Sequence, residues 1–303
     1  MNGLQTVNGA YLKRQEGKRG LVVFIYALAV LAIFFVIVMI ADCNRFVIRR
    51  YECKSQVLRK DGRIILLSDL HNKSFGAGNR RLLTAIEKLH PDLILIAGDM
   101  YTSNKDGKTD TAGDLVCALA ESYPVYYGNG NHEHKTRLFP EQFGSMYEDF
   151  VKKIKKAGVR HLVNEKVYLP DFNMNIYGLE IGREYYGKFK NTRMNTAYLE
   201  GILGKPEKSG FSVLIAHNPD YFKNYARWGA DLVVSGHVHG GLMRLPFLGG
   251  VISPAIKLFP RFDGGKFREG KSVMILGRGL GTHTLPVRIF NPGELVVIEI
   301  SQS

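Results

Sequence analysis

Cysteine is scarce in this chain. Cys43, Cys53 and Cys117 form no C-x-x-C pair and no framework, which excludes a disulfide-stapled scaffold and a thiolate zinc module. They leave the redox compartment open. No segment recurs at a fixed period, so solenoids and propellers are excluded as well. Acidic residues are short, 28 Asp and Glu against 41 Lys and Arg, giving a net charge of +13. The excess is not a uniform basic coat. Residues 1–60 hold ten Lys and Arg against Glu16, Asp42 and Glu52, a net +7 concentrated around one apolar segment. That placement points to an anionic membrane surface more than to a nucleic-acid groove. No separate basic, aromatic-rich domain accompanies it, so no nucleic acid is expected as a partner.

Long hydrophobic runs are missing too, with one exception. Leu21 to Ala41 carries no charge and consists largely of Leu, Val, Ile, Phe and Ala. About 20 such residues span a bilayer core as a helix. Lys13, Arg14, Lys18 and Arg19 precede it, as in a signal anchor. A cleaved signal peptide fits less well, since the run exceeds the usual 7–15 or so residues and lacks a small-x-small cleavage site. Arg45, Arg49, Arg50, Lys54, Arg59 and Lys60 follow the span, so the positive-inside rule pulls both ways on orientation. A single-pass protein of the cell membrane is expected, with the side of its main domain left open.

From Gly62 onward, short apolar runs alternate with helical patterns. Arg63–Ser68, Asp92–Ala97, Val125–Tyr127, Phe211–Ala216 and Leu232–Ser235 read as buried strands. Leu82, Leu83, Ile86 and Leu89 recur at helical spacing before Pro91, and Phe143 to Ile154 shows a second apolar helix face. Val167–Leu169 and Met174–Tyr177 suggest a hairpin around Pro170-Asp171. Val273–Leu276, Val287–Ile289 and Leu295–Ile300 are further strand candidates. The alternation implies an α/β fold with right-handed crossovers. At 303 residues there is ample length for its core.

What the strands carry at their carboxyl ends is the informative part. They deliver Asp69 and His71, Asp99, Asn131 and His132, His217, and finally His237 and His239. Each alone is an ordinary turn or cap residue. Together, at the end of an α/β sheet where ligands bind, they form a candidate site. Oxygen and imidazole donors without thiolate favour Mn, Fe or Zn over Cu(I). Seven donors exceed one tetrahedral ion but suit two ions sharing a carboxylate. Such a pair can clamp the oxygens of phosphoryl transfer and lower the pKa of a bound water. His132, next to a ligand candidate, is placed to protonate a leaving alkoxide. His90 and His161, beside helix ends, are expected to be solvated. Tyr185-Tyr186 with Lys188–Arg193 form a candidate lid.

Asp69-x-His71, Gly98-Asp99, Gly130-Asn131-His132-Glu133, His217 and Gly236-His237-x-His239 stand in the order of the calcineurin-like metallophosphoesterases, which this chain resembles. The resemblance implies a four-layer α/β/β/α sandwich holding two divalent ions, with hydroxide as nucleophile. It places Asp69, His71 and His239 on one ion, Asn131, His217 and His237 on the other, Asp99 between them, and His132 as the acid. His-x-His-Gly-Gly, Pro246–Gly250 and Arg278–Gly281 are similar to the membrane-anchored bacterial branch. Some of its members hydrolyse the pyrophosphate of UDP-2,3-diacylglucosamine, and others are phosphodiesterases, so the resemblance implies a phosphoester substrate, with a lipid-linked one among the candidates. The expected organisation is a basic segment 1–20, a transmembrane anchor 21–41, a basic linker 42–60 and a catalytic domain 61–303.

Overall fold

A computed structural model describes residues 2–105, 107–187, 192–245, 247–252, 258–282 and 286–303, with side chains described from residue 18 onward. Helix α1 (Asn2–Cys43) opens the chain, and its Lys18–Cys43 portion is long and apolar enough to cross a membrane. Strand β1 (Phe46–Lys54) follows almost at once, then β2 (Gly62–Leu67), α2 (Arg80–Glu87), β3 (Leu93–Ala97), α3 (Asp110–Ala120) and β4 (Val125–Gly128). Next come α4 (Asn131–Leu138), α5 (Pro140–Phe143), α6 (Met146–Lys156), β5 (Arg160–Leu162), β6 (Glu165–Leu169), β7 (Met174–Leu179) and α7 (Thr196–Leu203). The chain closes with β8 (Phe211–Ala216), α8 (Phe222–Trp228), β9 (Leu232–Ser235), β10 (Met243–Leu245), β11 (Gly249–Ile252), β12 (Gly265–Glu269), β13 (Ser272–Leu276) and β14 (Gly293–Ser301).

Two six-stranded sheets result, ordered β1-β14-β2-β3-β4-β5 and β12-β13-β9-β8-β7-β6. Strand side chains alternate between faces, and here both faces are apolar, which is why the strands read as continuous runs. Ile64 and Leu66 of β2 meet Ile176, Val213 and Val234 of the opposite sheet in a core between the sheets. Ile65 and Leu67 point the other way, onto Leu82, Ile86, Val116 and Phe150 of the outer helices. On the far side, Leu214 and Val233 pack under Leu199, Tyr225 and Trp228. Each such Leu, Ile or Val contributes about 1.5–3 kcal/mol by burial. The arrangement is the four-layer α/β/β/α sandwich expected. The hairpin at Pro170-Asp171 is present as the antiparallel pair β6–β7.

Three expectations are corrected. The segment 42–60 is not a linker, because β1 pairs in parallel along its full length with β14, from Phe46 opposite Gly293 to Lys54 opposite Ser301. Its solvent-facing arginines and lysines disguised an edge strand, a position that tolerates charge. Val287–Ile289 forms no strand; Ile289 makes a single bridge to Met243, and Arg288 turns inward. His161 is 7% exposed, its Nε2 2.8 Å from Asn129 Oδ1, whereas His90 is exposed as expected. Lys188 and its neighbours to residue 191, residues 246 and 253–257, and His283 lie outside the described residues.

Candidate metal centre

The donors named from the sequence converge. Parallel pairing of β2, β3 and β4, and of β8 and β9, aims their carboxyl ends at one rim. There, ligand atoms of Asp69, His71 and His239 lie within 4.8 Å of one another, as do those of Asp99, His217 and His237. Asp99 also groups with His71 and His132, so it stands within reach of both clusters. Asn131 begins α4 directly after β4, and its buried Oδ1 has no hydrogen-bond partner. Asp69, His71, Asp99, His237 and His239 all have positive φ. Left-handed backbone costs such residues about 1–2 kcal/mol each, and its concentration on five donors marks a site, not ordinary turns.

Close backbone approach allows this. A Cβ on Gly236 would lie 2.3 Å from Asp69 Oδ2, and one on Gly281 would lie 1.9 Å from the Leu70 carbonyl oxygen. The Arg278–Gly281 run thus lies flat against the Asp69 loop, with Gly281 N donating to Asp69 O at 2.7 Å. Backbone donors then aim the carboxylates. His237 N donates to Asp69 at 3.0 and 3.1 Å, and His132 N donates to Asp99 Oδ1 at 2.8 Å.

The electrostatics call for a cation. Burial pushes the Asp69 carboxyl up to about 6, with His217 opposing the rise and Asp99 adding to it. Burial also works against ionised Asp99, but His217, His132 and His71 together hold its carboxyl well below the usual range. For His217, burial disfavours the imidazolium, yet the adjacent Asp99 outweighs it and pushes the pKa up to about 10. His217 Nδ1 lies 2.6 Å from the Ala97 carbonyl, to which it can only donate. Its Nε2 therefore faces Asp99 Oδ2 at 3.0 Å, two acceptors unless a proton or a metal ion is shared between them. His71 Nε2 and His239 Nε2 are 3.1 Å apart, a spacing suited to two imidazoles on one ion with nitrogen bonds of about 2.0–2.1 Å. The donor set fits divalent metal.

His132 differs from the rest. Its Nδ1 is 2.9 Å from Ser103 N, a backbone donor, so the neutral ring accepts there and carries its proton on Nε2. A ring in that tautomer does not offer Nε2 to a metal. Ser103 Oγ, 2.8 Å from the same nitrogen, can turn to accept when the ring is cationic. Burial, against the pull of Asp99, lowers the His132 pKa. Tyr186, from the candidate lid, sets its ring edge-on to His237 at 5.3 Å. His134 is buried, with Nε2 3.7 Å from Glu180. Arg278, half-buried, has its Nε 3.9 Å from Glu294.

Sequence reasoning assigned no role to three residues that build the site. Glu133 is fully buried and accepts from Asp99 N, Met100 N, Gly130 N and Tyr127 OH, tying the loops after β3 and β4 together. Burial, with Asp99 nearby, pushes its carboxyl up to about 7 despite these donors. Arg288 spends its guanidinium on backbone carbonyls, including those of Arg278, Gly279 and Gly281. Asn291 Nδ2 donates to the carbonyls of His239 and Gly241 at 2.7 and 2.6 Å, and Asn291 N donates to Asp42 Oδ2 at 2.9 Å. The lone charge in Val287-Arg288-Ile289-Phe290 was the available signal for Arg288. Glu133→Ala is expected to orphan four donors and cost at least about 3 kcal/mol. For a domain this size, thermal denaturation should show Tm falling by roughly 6–12 °C, and an unchanged Tm would refute the clamp.

Comparison with known proteins agrees with this geometry. The profile of the calcineurin-like phosphoesterases matches residues 62–241. The uncharacterized metallophosphoesterase YkuE of Bacillus subtilis is 25% identical over 261 residues, covering 80% of this chain and 79% of that protein. Phosphodiesterase YaeI of Escherichia coli is 26% identical over 228 residues, with coverage of 73% and 75%. The UDP-2,3-diacylglucosamine pyrophosphatase LpxG of Chlamydia muridarum is 24% identical over 292 residues, with coverage of 78% and 82%. Because the profile match runs over more than half of the chain and encloses every one of the gathered donors, the chain belongs to the calcineurin-like phosphoesterase family and is a metal-dependent phosphoester hydrolase.

Proposed function

We propose that the protein is a membrane-anchored phosphodiesterase or pyrophosphatase with two divalent ions, acting on a lipid-linked phosphoester such as a UDP-diacylglucosamine-like pyrophosphate. The observation that carries the metal reading is Asp99, within 4.8 Å of donors in both clusters. In this reading Asp69, His71 and His239 hold one ion, Asn131, His217 and His237 the other, and Asp99 both. Ions of Mn, Fe or Zn there would activate water and neutralise phosphoryl charge. His132 carries the proton for the leaving oxygen on Nε2, and Ser103 fixes which nitrogen that is. Asp99 Oδ1, by accepting from His132 N, keeps the acid in register with the shared carboxylate. The lipid-linked substrate is supported by the apolar Lys18–Cys43 helix and by the similarity to LpxG.

The test uses the full chain in phospholipid vesicles. Elemental analysis should find about two divalent ions per chain, and exhaustive chelation should abolish hydrolysis of a chromogenic phosphodiester. Among a vesicle-embedded diacyl-sugar nucleotide pyrophosphate, a soluble phosphodiester and single-stranded DNA, the embedded substrate should be turned over fastest. Activity that persists without metal overturns the centre. Preference for DNA or the soluble ester overturns the substrate, and no turnover with metal bound identifies a scaffold.

A further inference from the structure

Helix α1 does not leave the sandwich at its last residue. Phe35, Val38 and Met39 are half-buried and Asp42 is 1% exposed, a stripe at helical spacing that docks on the domain. The Phe34 and Phe35 rings lie 6.3 and 6.2 Å from Phe290. Phe34 precedes Cys43 by nine residues, about 13 Å along a helix axis. Over those same turns the other faces are apolar and open, with Ile37 61% and Ile40 56% exposed. A bilayer that covers them must rise beside the domain.

The domain is apolar on that flank. Outside α1, ten large hydrophobic residues are exposed among the described residues, and six belong to one connected group: Leu245, Phe247, Leu248, Leu258, Phe259 and Phe290. Phe247 is fully exposed at the tip of the β10–β11 hairpin. The group is joined by backbone. Met243 bridges Ile289, next to Phe290, and Ile252 bridges Leu258. Phe247, Phe259 and Phe290 all have positive φ, at 67°, 44° and 54°. Bulky aromatics held in strained backbone and pointed at water are unfavourable twice over unless another phase receives them.

We propose that the β10–β11 hairpin, with Leu258-Phe259 and Phe290, is a second membrane element that sinks into the acyl region of the leaflet beside α1. The inference rests on the reading of α1 as an anchor and extends it. The occupant of the patch is lipid because the patch is continuous, through Phe290, with the apolar face of α1. The hairpin starts four residues after His239, so its insertion sets the donor cluster against the headgroup layer. The phosphate of an embedded lipid then reaches the site without its chains leaving the bilayer.

Fluorescence quenching tests this with the full chain in vesicles of phosphatidylethanolamine and phosphatidylglycerol, with or without brominated acyl chains. The single native Trp228 is 4% exposed on the inner face of α8 and serves as an unquenched internal reference. Phe247→Trp changes an exposed tip, and Leu28→Trp reports on the span itself. Both added indoles should lose at least about half their emission to brominated chains, with the shallower bromine quenching Phe247→Trp more, as for a segment buried roughly 5–10 Å deep. Quenching at Leu28→Trp without quenching at Phe247→Trp overturns the second element and leaves the anchor. Quenching at neither overturns the anchor and the hairpin inference with it. A blue-shifted but unquenched indole at Phe247→Trp means that protein, such as a second copy, covers the patch, and overturns lipid as the occupant.

Discussion

Asp99→Ala should leave a folded protein without a working metal centre. Bound metal should fall from about two ions per chain to one or none, and hydrolysis should drop to the level of the chelated enzyme. The reasoning is geometric. Asp99 Oδ2 is 3.0 Å from His217 Nε2, and its ligand atom lies within 4.8 Å of those of His71, His237 and His217. Asp99 is the carboxylate that groups both with His71 and with His217 and His237, so alanine removes the oxygen donor common to the two sides. The fold should survive, because the loop is held through Asp99 N and Met100 N on Glu133, which the substitution leaves in place. Elemental analysis and circular dichroism on the same sample decide it. Two ions retained, with activity within tenfold of the parent, would remove the shared role from Asp99.

His132→Ala should behave in the opposite way, keeping metal and losing rate. Its Nδ1 is engaged by Ser103, so the ring is not needed as a ligand, and its loss should not empty the site. Proton donation to a departing oxygen is worth about 10²–10⁴-fold. An alkyl phosphodiester should show a loss in that range, while a nitrophenyl ester, whose leaving group needs little protonation, should lose far less. Equal losses on the two esters would assign His132 to positioning and not to proton transfer. Ser103→Ala makes the finer point. It removes the hydroxyl that can accept from a cationic ring but keeps the backbone donor, so the alkyl ester should suffer more than the nitrophenyl ester here too.

The centre was legible from sequence because its donors sit at the ends of buried strands, where an apolar run stops at a Gly-flanked polar residue. Asp99 after Ile94–Ala97, and His237 after Leu232–Ser235, announce themselves in that way. The residues that hold those donors in place do not. Glu133 reads as an ordinary first-turn acid of α4, and only the folded loops reveal that it gathers four hydrogens. Arg288 is surrounded in sequence by apolar residues, and its carbonyl partners lie in loops remote from any helix or strand pattern. β1 was missed for a different reason. Five of its nine residues are charged or face outward, and its partner lies more than two hundred residues away, so no local period marks it. The apolar hairpin hid behind glycine and proline, which advertise a turn and say nothing of what the turn touches.

The place of β14 between β1 and β2 has a consequence for how the molecule comes into being. β1 stands directly behind α1 in the chain and is made well before β14, and β2 follows within a few residues. Yet the two do not pair. Between them belongs Gly293–Ser301, more than two hundred residues further along the chain. Until that segment arrives, the nascent sheet has a strand-wide gap with two open edges and one of the least local pairings in the chain still to form. Contacts of such sequence separation are slow to find. The sheet therefore has to wait for β14, and removal of residues 293–301 should leave it unable to close.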